Sequence, residues 1–456
     1  MRKVVMKNVD LLISARWVVP IAPDNIILEN YAIVIDQGLI VSLLPIEEAK
    51  ASYQTKKTII LGDQVLMPGL INAHAHTPMN LFRGLADDLN LMDWLHYHIW
   101  PAEQALVNKD SVEIGSRLAM AEMLRGGTTC FNDNYFFPHV TAKAAIEIGI
   151  RACLGHVIMN IPTKWAQEEA GYFERAIHGL ENVEKHPLVT WTIAPHAPYT
   201  VSDAGFKKAR ALAKQYKIPI HLHLHETQAE VERSLKEFGK RPIQRIHELR
   251  ILSPALIAVH LTQLTDSEID LLQTTGTHAV HCPKSNLKLA SGFSPVNKLL
   301  DIGVNVALGT DSAASNNTLD MLSELNVAAI LAKAVSGKSI ALPAAQALEM
   351  ATLNGAKALG LDHKVGSLEI GKVADIIAID LTDYFSQPMY NPLSHVAYVA
   401  NRMQVTHVWV SGKMLVEKGE LINFNTKELI TNAKIWSKKA AAFTSNTSKE
   451  RKRVKM

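Results

Sequence analysis

Cysteine is scarce in this chain of 456 residues. Cys130, Cys153 and Cys282 are the three present, and none forms a C-x-x-C pair. That argues against a disulfide framework and a thiolate metal site, and it fits a reducing cytoplasm. An excess of one charge is also lacking: 47 basic residues against 44 acidic leave a formal +3. So small a balance gives no chain-wide field to gather nucleic acid or an anionic membrane, and small molecules are the expected partners. Apolar runs such as Val304 to Leu308 fall far short of a bilayer span. The opening Met1-Arg2-Lys3-Val4 leads into an alternating segment broken by Asp10, without the apolar stretch and cleavage site of a signal peptide, so no export is expected.

What is present is apolar patterning. Hydrophobic residues make up 48% of the chain, enough for one large core. Between residues 65 and 311 a short apolar run, a polar residue and a segment of helical spacing recur in turn, which is β/α alternation. Eight candidate strands follow: Val65 to Ala73, Thr128 to Asn132, Arg151 to Leu154, Val189 to Ala194, Ile218 to Leu224, Leu256 to Val259, His278 to Val280 and Val304 to Gly309. Eight is the number a TIM-type (β/α) barrel needs, although a doubly wound open sheet produces the same alternation. Between strands, Ala204 to Tyr216 places Phe206, Ala209, Leu212 and Ala213 on one side of a helix.

At both chain ends the period changes to two. Ala32 to Ile35 leads to Asp36-Gln37-Gly38, and Thr406 to Val410 leads to Ser411-Gly412-Lys413, as in hairpins. The economical arrangement is a small β-sandwich domain built from residues 1–64 and 364–423, with the barrel of residues 65–363 inserted between them. Residues 424–456 form a C-terminal helix and basic tail. Its cluster Lys449-Glu450-Arg451-Lys452-Arg453 reads as a frayed solvated end rather than a nucleic-acid contact.

Polar residues gather at the ends of the strands. In a strand, His74 and His76 point to one face and can reach one metal ion. Alone, such a pair is more often two ordinary polar histidines. Yet Pro195-His196, the trio His221, His223 and His225, His260, and Thr310-Asp311 all stand at strand C-terminal ends, which meet at the mouth of a parallel barrel. Three histidines and an aspartate suit zinc or a similar divalent ion, with one position left for a water whose pKa falls toward neutrality. Glu226, three residues beyond His223, is the candidate general acid/base.

The segments Pro68 to His76, His221 to Thr227, His281-Cys282-Pro283-Lys284-Ser285-Asn286 and Gly309 to Asn317 together resemble the 5'-methylthioadenosine/S-adenosylhomocysteine deaminase family. The likeness spans nearly the whole chain, taking in Asp93-Trp94-Leu95, Trp100 to Glu103 and Gly366 to Asp375. It implies hydrolytic deamination of an adenine ring by a protein carrying one divalent metal ion, zinc. It implies His74, His76, His223 and Asp311 as metal ligands, selecting His223 from its trio and leaving His221 and His225 structural. It further implies proton transfer by Glu226 and His260, ribose contact by Glu103 and nucleoside contact by His196. Arg151 is the candidate for the arginine that meets the carboxylate of S-adenosylhomocysteine, although it begins a strand. Ser312 departs from the glycine usual after the metal-binding aspartate.

The enzymatic rival is a deaminase or chlorohydrolase of the same superfamily acting on guanine, a pterin or a triazine. A rival of another class is an inactive barrel used as a binding module. The cytidine-deaminase type is excluded, because its P-C-x-x-C segment is absent. Oligomeric state stays open, a homo-oligomer included.

Overall fold

The computed structural model describes residues 6–23, 26–182, 185–422 and 424–454, with side chains to Phe443. The apolar run at 65–73, expected as one strand, is two. Gln64–Pro68 pairs in the small sheet with Lys7–Val18 and Ile376–Asp380, while Leu70–Ala75 is the first barrel strand, β1. A Cβ on Gly69 would stand 2.0 Å from Thr129 Oγ1, so the chain can pass the barrel floor here only without a side chain. The barrel strand therefore starts at Leu70, not Val65.

Seven more strands follow: β2 Thr128–Tyr135, β3 Arg151–Ile158, β4 Val189–Pro195, β5 Ile220–Leu224, β6 Leu256–His260, β7 His278–His281 and β8 Val306–Leu308. All pairs are parallel and neighbours follow chain order. A doubly wound sheet would reverse direction from a central strand. Here β8 instead returns to β1, where Asp311 N donates to His74 O at 3.0 Å and Ala75 bridges Asp311. Every residue of β2 and β3 is buried, as in parallel strands covered on both faces. The helix Asp203–Tyr216 starts at Ser202, whose side chain accepts from Gly205 N, and it buries Phe206, Ala209, Leu212 and Ala213 as its spacing predicts.

The chain ends share a nine-stranded mixed sheet. Leu11, Ile33 and Ile35 from its first half meet Ile376, Ala378 and Trp409 from its second in one apolar cluster, so the sheet folds over on itself as a sandwich. The two expected hairpin turns touch: Ala374 N donates to Gly38 O and Gly412 N to Ala374 O, both at 2.9 Å. Gly38, at φ 77°, leaves no room for a side chain, since a Cβ would lie 2.7 Å from Ser411 O.

The C-terminal segment, expected as a helix ending in a frayed basic tail, is helical over Thr426–Val454. Trp436 packs edge-on against Phe82 with ring centroids 5.0 Å apart, and Ala440 is also buried. This apolar anchoring was hidden by the polar composition around it. The side chains of Lys449 to Arg453, and residues 1–5 with their expected lack of an export signal, lie outside the described residues. No described helix is long and apolar enough to cross a membrane.

Candidate active site

Strand ends β1, β5, β6 and β8 deliver His74, His76, His223, His260 and Asp311 to the barrel mouth. His74 Nε2 and His76 Nε2 lie 3.3 and 3.2 Å from Asp311 Oδ1, and His223 Nε2 lies 3.3 Å from His76 Nε2. The opposite ring nitrogens are occupied. His76 Nδ1 donates to Asn134 O and His223 Nδ1 to His196 O, both at 2.6 Å, while His260 Nδ1 meets Asn286 Oδ1 at 2.8 Å. Carbonyl acceptors on Nδ1 fix the tautomer that turns an Nε2 lone pair inward. His74 Nδ1 pairs with His221 Nε2 at 2.9 Å, and the buried His74 Nε2 has no hydrogen-bond partner among the described residues.

These donors fit a divalent cation. Nitrogen and oxygen ligands set tetrahedrally about 2.0 Å from zinc stand about 3.3 Å from one another, the spacing found here. Burial lowers the pKa of His74 to about 4 and that of His223 well below the ordinary histidine value, so both are neutral imidazoles, the form that ligates. Burial opposes the Asp311 carboxylate, but the His74 and His76 rings facing it outweigh burial and hold its pKa well below the usual range. Its Oδ2 accepts from Ser285 Oγ at 2.6 Å and Ser315 Oγ at 2.9 Å, leaving Oδ1 to face the histidines.

Beside this cluster, Glu226 Oε1 lies 3.8 Å from His260 Nε2, and burial raises the Glu226 pKa. The loop that presents Glu226 is held by Glu230, whose carboxylate accepts from His225 N at 3.1 Å and Glu226 N at 2.8 Å. A cavity opens here, about 680 Å³ including its open mouth. Glu103 and His196 line it together with Glu226 and the cluster, and its far wall is apolar, with Trp94, Leu95, Ile99 and Met159. Burial raises the Glu103 pKa to about 7, and Tyr135 Oη donates to its carboxyl at 2.6 Å. Burial also holds His196 neutral, lowering its pKa to about 3.

Residues 65–415 match the amidohydrolase family. A 5-methylthioadenosine/S-adenosylhomocysteine deaminase of Saccharophagus degradans is 47% identical over 95% of this chain and 97% of its own. The chain belongs to that deaminase family. A 5'-deoxyadenosine deaminase of Methanopyrus kandleri is 38% identical over 91% of this chain and 96% of its own. Among solved structures, an adenosine deaminase from Xanthomonas campestris with bound zinc superposes with a TM-score of 0.95 at 48% identity, covering 96% of this chain and 100% of that one.

One expectation for this deaminase fails. Arg151 lies at the opposite end of the barrel from the cavity, at the start of β3. Its guanidinium is buried, binding Asp375 through Nε at 2.9 Å and Nη2 at 3.1 Å, with Pro187 O at 3.1 Å. It ties the barrel floor to the small sheet and meets no substrate. His225 also points away, its Nδ1 to Gln263 O and its Nε2 to Ile243 N. Ser312 caps its own turn: its Oγ accepts from Ser315 N at 3.0 Å. Sequence reasoning overlooked Tyr135 and, although it quoted the segments that contain them, gave no role to Ser285, Asn286 and Ser315; all four hold the predicted residues. The signal for Tyr135 was the polar run Asn132-Asp133-Asn134 ending a strand that is otherwise core.

Proposed function

We propose that this deaminase converts the adenine ring of 5'-methylthioadenosine, S-adenosylhomocysteine or adenosine to hypoxanthine and releases ammonia. The observation that carries the reading is the meeting of three inward histidine nitrogens and one carboxylate oxygen beside the buried Glu226 carboxyl. In this reading His74, His76, His223 and Asp311 hold one zinc ion, which lowers the pKa of water so that a nucleophile exists near neutral pH. Glu226 takes a proton from the water that attacks C6 and passes it to N1; its raised pKa suits both halves of the transfer. The carboxylate so regenerated takes the second proton of that water from the C6 hydroxyl and delivers it to the exocyclic amino group, which leaves as ammonia while C6 becomes a carbonyl carbon. His260, set by Asn286, and Asp311 orient the water. Glu103 accepts hydrogen bonds from the vicinal ribose hydroxyls, steadied by Tyr135, and neutral His196 meets the nucleoside between ring and sugar. The three cysteines are free and buried, which suits the reducing cytoplasm where such a nucleoside is expected.

A panel of adenosine derivatives, followed by the absorbance change from adenine to hypoxanthine, tests this. 5'-Methylthioadenosine, adenosine or S-adenosylhomocysteine should far exceed free adenine in kcat/KM, and guanine and a triazine should be inert. Equal rates on adenine and 5'-methylthioadenosine, or faster turnover of guanine, would overturn it.

A further inference from the structure

A second cavity lies outside the barrel wall, between β3, β4 and the helix Glu169–Asn182, and the proposed chemistry makes no use of it. It encloses about 1150 Å³ including its open mouth. Its inner end is aromatic: Trp191 stacks on His156 at 5.0 Å between ring centroids, and Phe137 meets Trp165 at 4.7 Å. His156 is 4% exposed, and its Nε2 makes no hydrogen bond among the described residues. Burial lowers the His156 pKa to about 4, so the ring is neutral near pH 7. A buried polar nitrogen left without a partner costs stability and calls for a reason that the packing around it does not supply.

The helix accommodates that imidazole through Gly179, where a Cβ would stand 2.6 Å from His156 Cε1. The outer end of the cavity is positive. Lys109 and Arg175 both act on His139, lowering its pKa after burial has done so, and Glu174 is the one carboxylate lining the cavity among the described residues. The Arg175 guanidinium lies over the Trp165 ring at 4.6 Å.

We propose that this cavity is a second ligand site, for a planar heteroaromatic ring carrying an anionic group. The ring lies beside Trp191 and Trp165, the anion is held by Arg175 and Lys109, and the His156 imidazole accepts from or donates to a ring heteroatom. One segment joins the wall of this cavity to the edge of the catalytic mouth. Trp165 sits in the same loop as Ile161, Pro162 and Thr163, which share a hollow with Trp100, Glu103 and Phe136 at the edge of the first cavity. That loop is stapled on both sides, by Lys164 Nζ to Ala105 O at 2.6 Å and by Tyr172 Oη to Ile161 O at 2.9 Å.

Inosine 5'-monophosphate is a suitable probe, because it is planar and anionic and has no amino group to lose. Calorimetric titration of the full-length protein should show saturable binding of this probe and weaker binding of neutral inosine to the same site. Arg175→Ala, which removes an exposed side chain, and His156→Phe, which keeps the stack on Trp191, should each weaken it about tenfold or more, the loss expected for one charge-assisted or buried hydrogen bond. Glu103→Ala should leave the probe's affinity unchanged. The proposal is overturned if the probe does not bind at millimolar concentration. It is equally overturned if Glu103→Ala abolishes binding while Arg175→Ala does not, because the probe then occupies the catalytic cavity. Should His156→Phe fail to fold, Arg175→Ala decides alone. Binding is read without turnover, so its failure leaves the deaminase reading intact.

Discussion

Replacing Arg151 by methionine separates its structural role from the substrate contact first expected of it. The guanidinium and the Asp375 carboxylate have side chains only 4% and 3% exposed, and Asp375 Oδ1 also accepts from Ser411 N at 2.8 Å. Arg151→Met deletes two charge-assisted bonds to Asp375 and one to Pro187 O, and it leaves a carboxylate buried among apolar strands without its cation. Breaking a buried pair from one side costs about 3–5 kcal/mol, mostly the penalty of the stranded charge. Urea unfolding followed by tryptophan fluorescence should show that loss as a lower midpoint with an unchanged slope. Arg151→Met/Asp375→Leu should recover most of it, since neither charge then remains to be solvated. The KM for S-adenosylhomocysteine should be the same in wild type and Arg151→Met at a temperature where both are folded. A destabilisation below about 1 kcal/mol, the value of an exposed pair, or a selective rise in that KM would refute the reasoning.

Elemental analysis of the purified protein should find about one zinc per chain. His223→Ala should lose it, while His221→Ala, which removes only the partner of His74 Nδ1, should weaken affinity by about 10–100-fold. Glu226→Gln should keep the metal and lose turnover by about two to four orders of magnitude; near-normal turnover would remove Glu226 from the proton path. Glu103→Ala should narrow the preference for 5'-methylthioadenosine over adenine, as measured by the ratio of kcat/KM values. The depressed pKa of His156 means the unfolded chain binds the extra proton first, so its contribution to stability is full above pH 6.5 and is lost as pH falls toward about 4. His156→Phe should flatten that part of the stability profile.

Most of the barrel was legible because parallel strands are short apolar runs and their ends carry the polar residues, as at Ile220–Leu224 followed by His225-Glu226. The small domain was legible in its turns, Gln37-Gly38 and Ser411-Gly412, which demand particular residues. The break at Gly69 was harder to see, since residues 65–73 are apolar on both sides of it and only the crowding against Thr129 reveals that two sheets are served in turn. Local spacing could not separate His221, His223 and His225. Alternation puts all three on one face of an ideal strand, whereas the chain leaves the strand after Leu224 and His225 takes φ 54°. Arg151 was named for want of a better arginine although it begins its strand, and that end faces the barrel floor, away from the cavity. The groups that steady the site were silent for a different reason: Ser285, Ser315 and Tyr135 act through single hydrogen bonds that no periodicity encodes.

The seam where β8 meets β1 is also where the proposed ligands sit, for Asp311 N is bonded to His74 O and Asp311 Oδ1 faces the His74 ring. Closing the cylinder and completing the donor set are thus one event. A chain still emerging from the ribosome holds His74 and His76 long before Asp311 exists, and it can present at most a partial, open set to passing ions. In this architecture the cation would act as a latch on the finished barrel, drawing together the two strands that lie farthest apart in the order of synthesis.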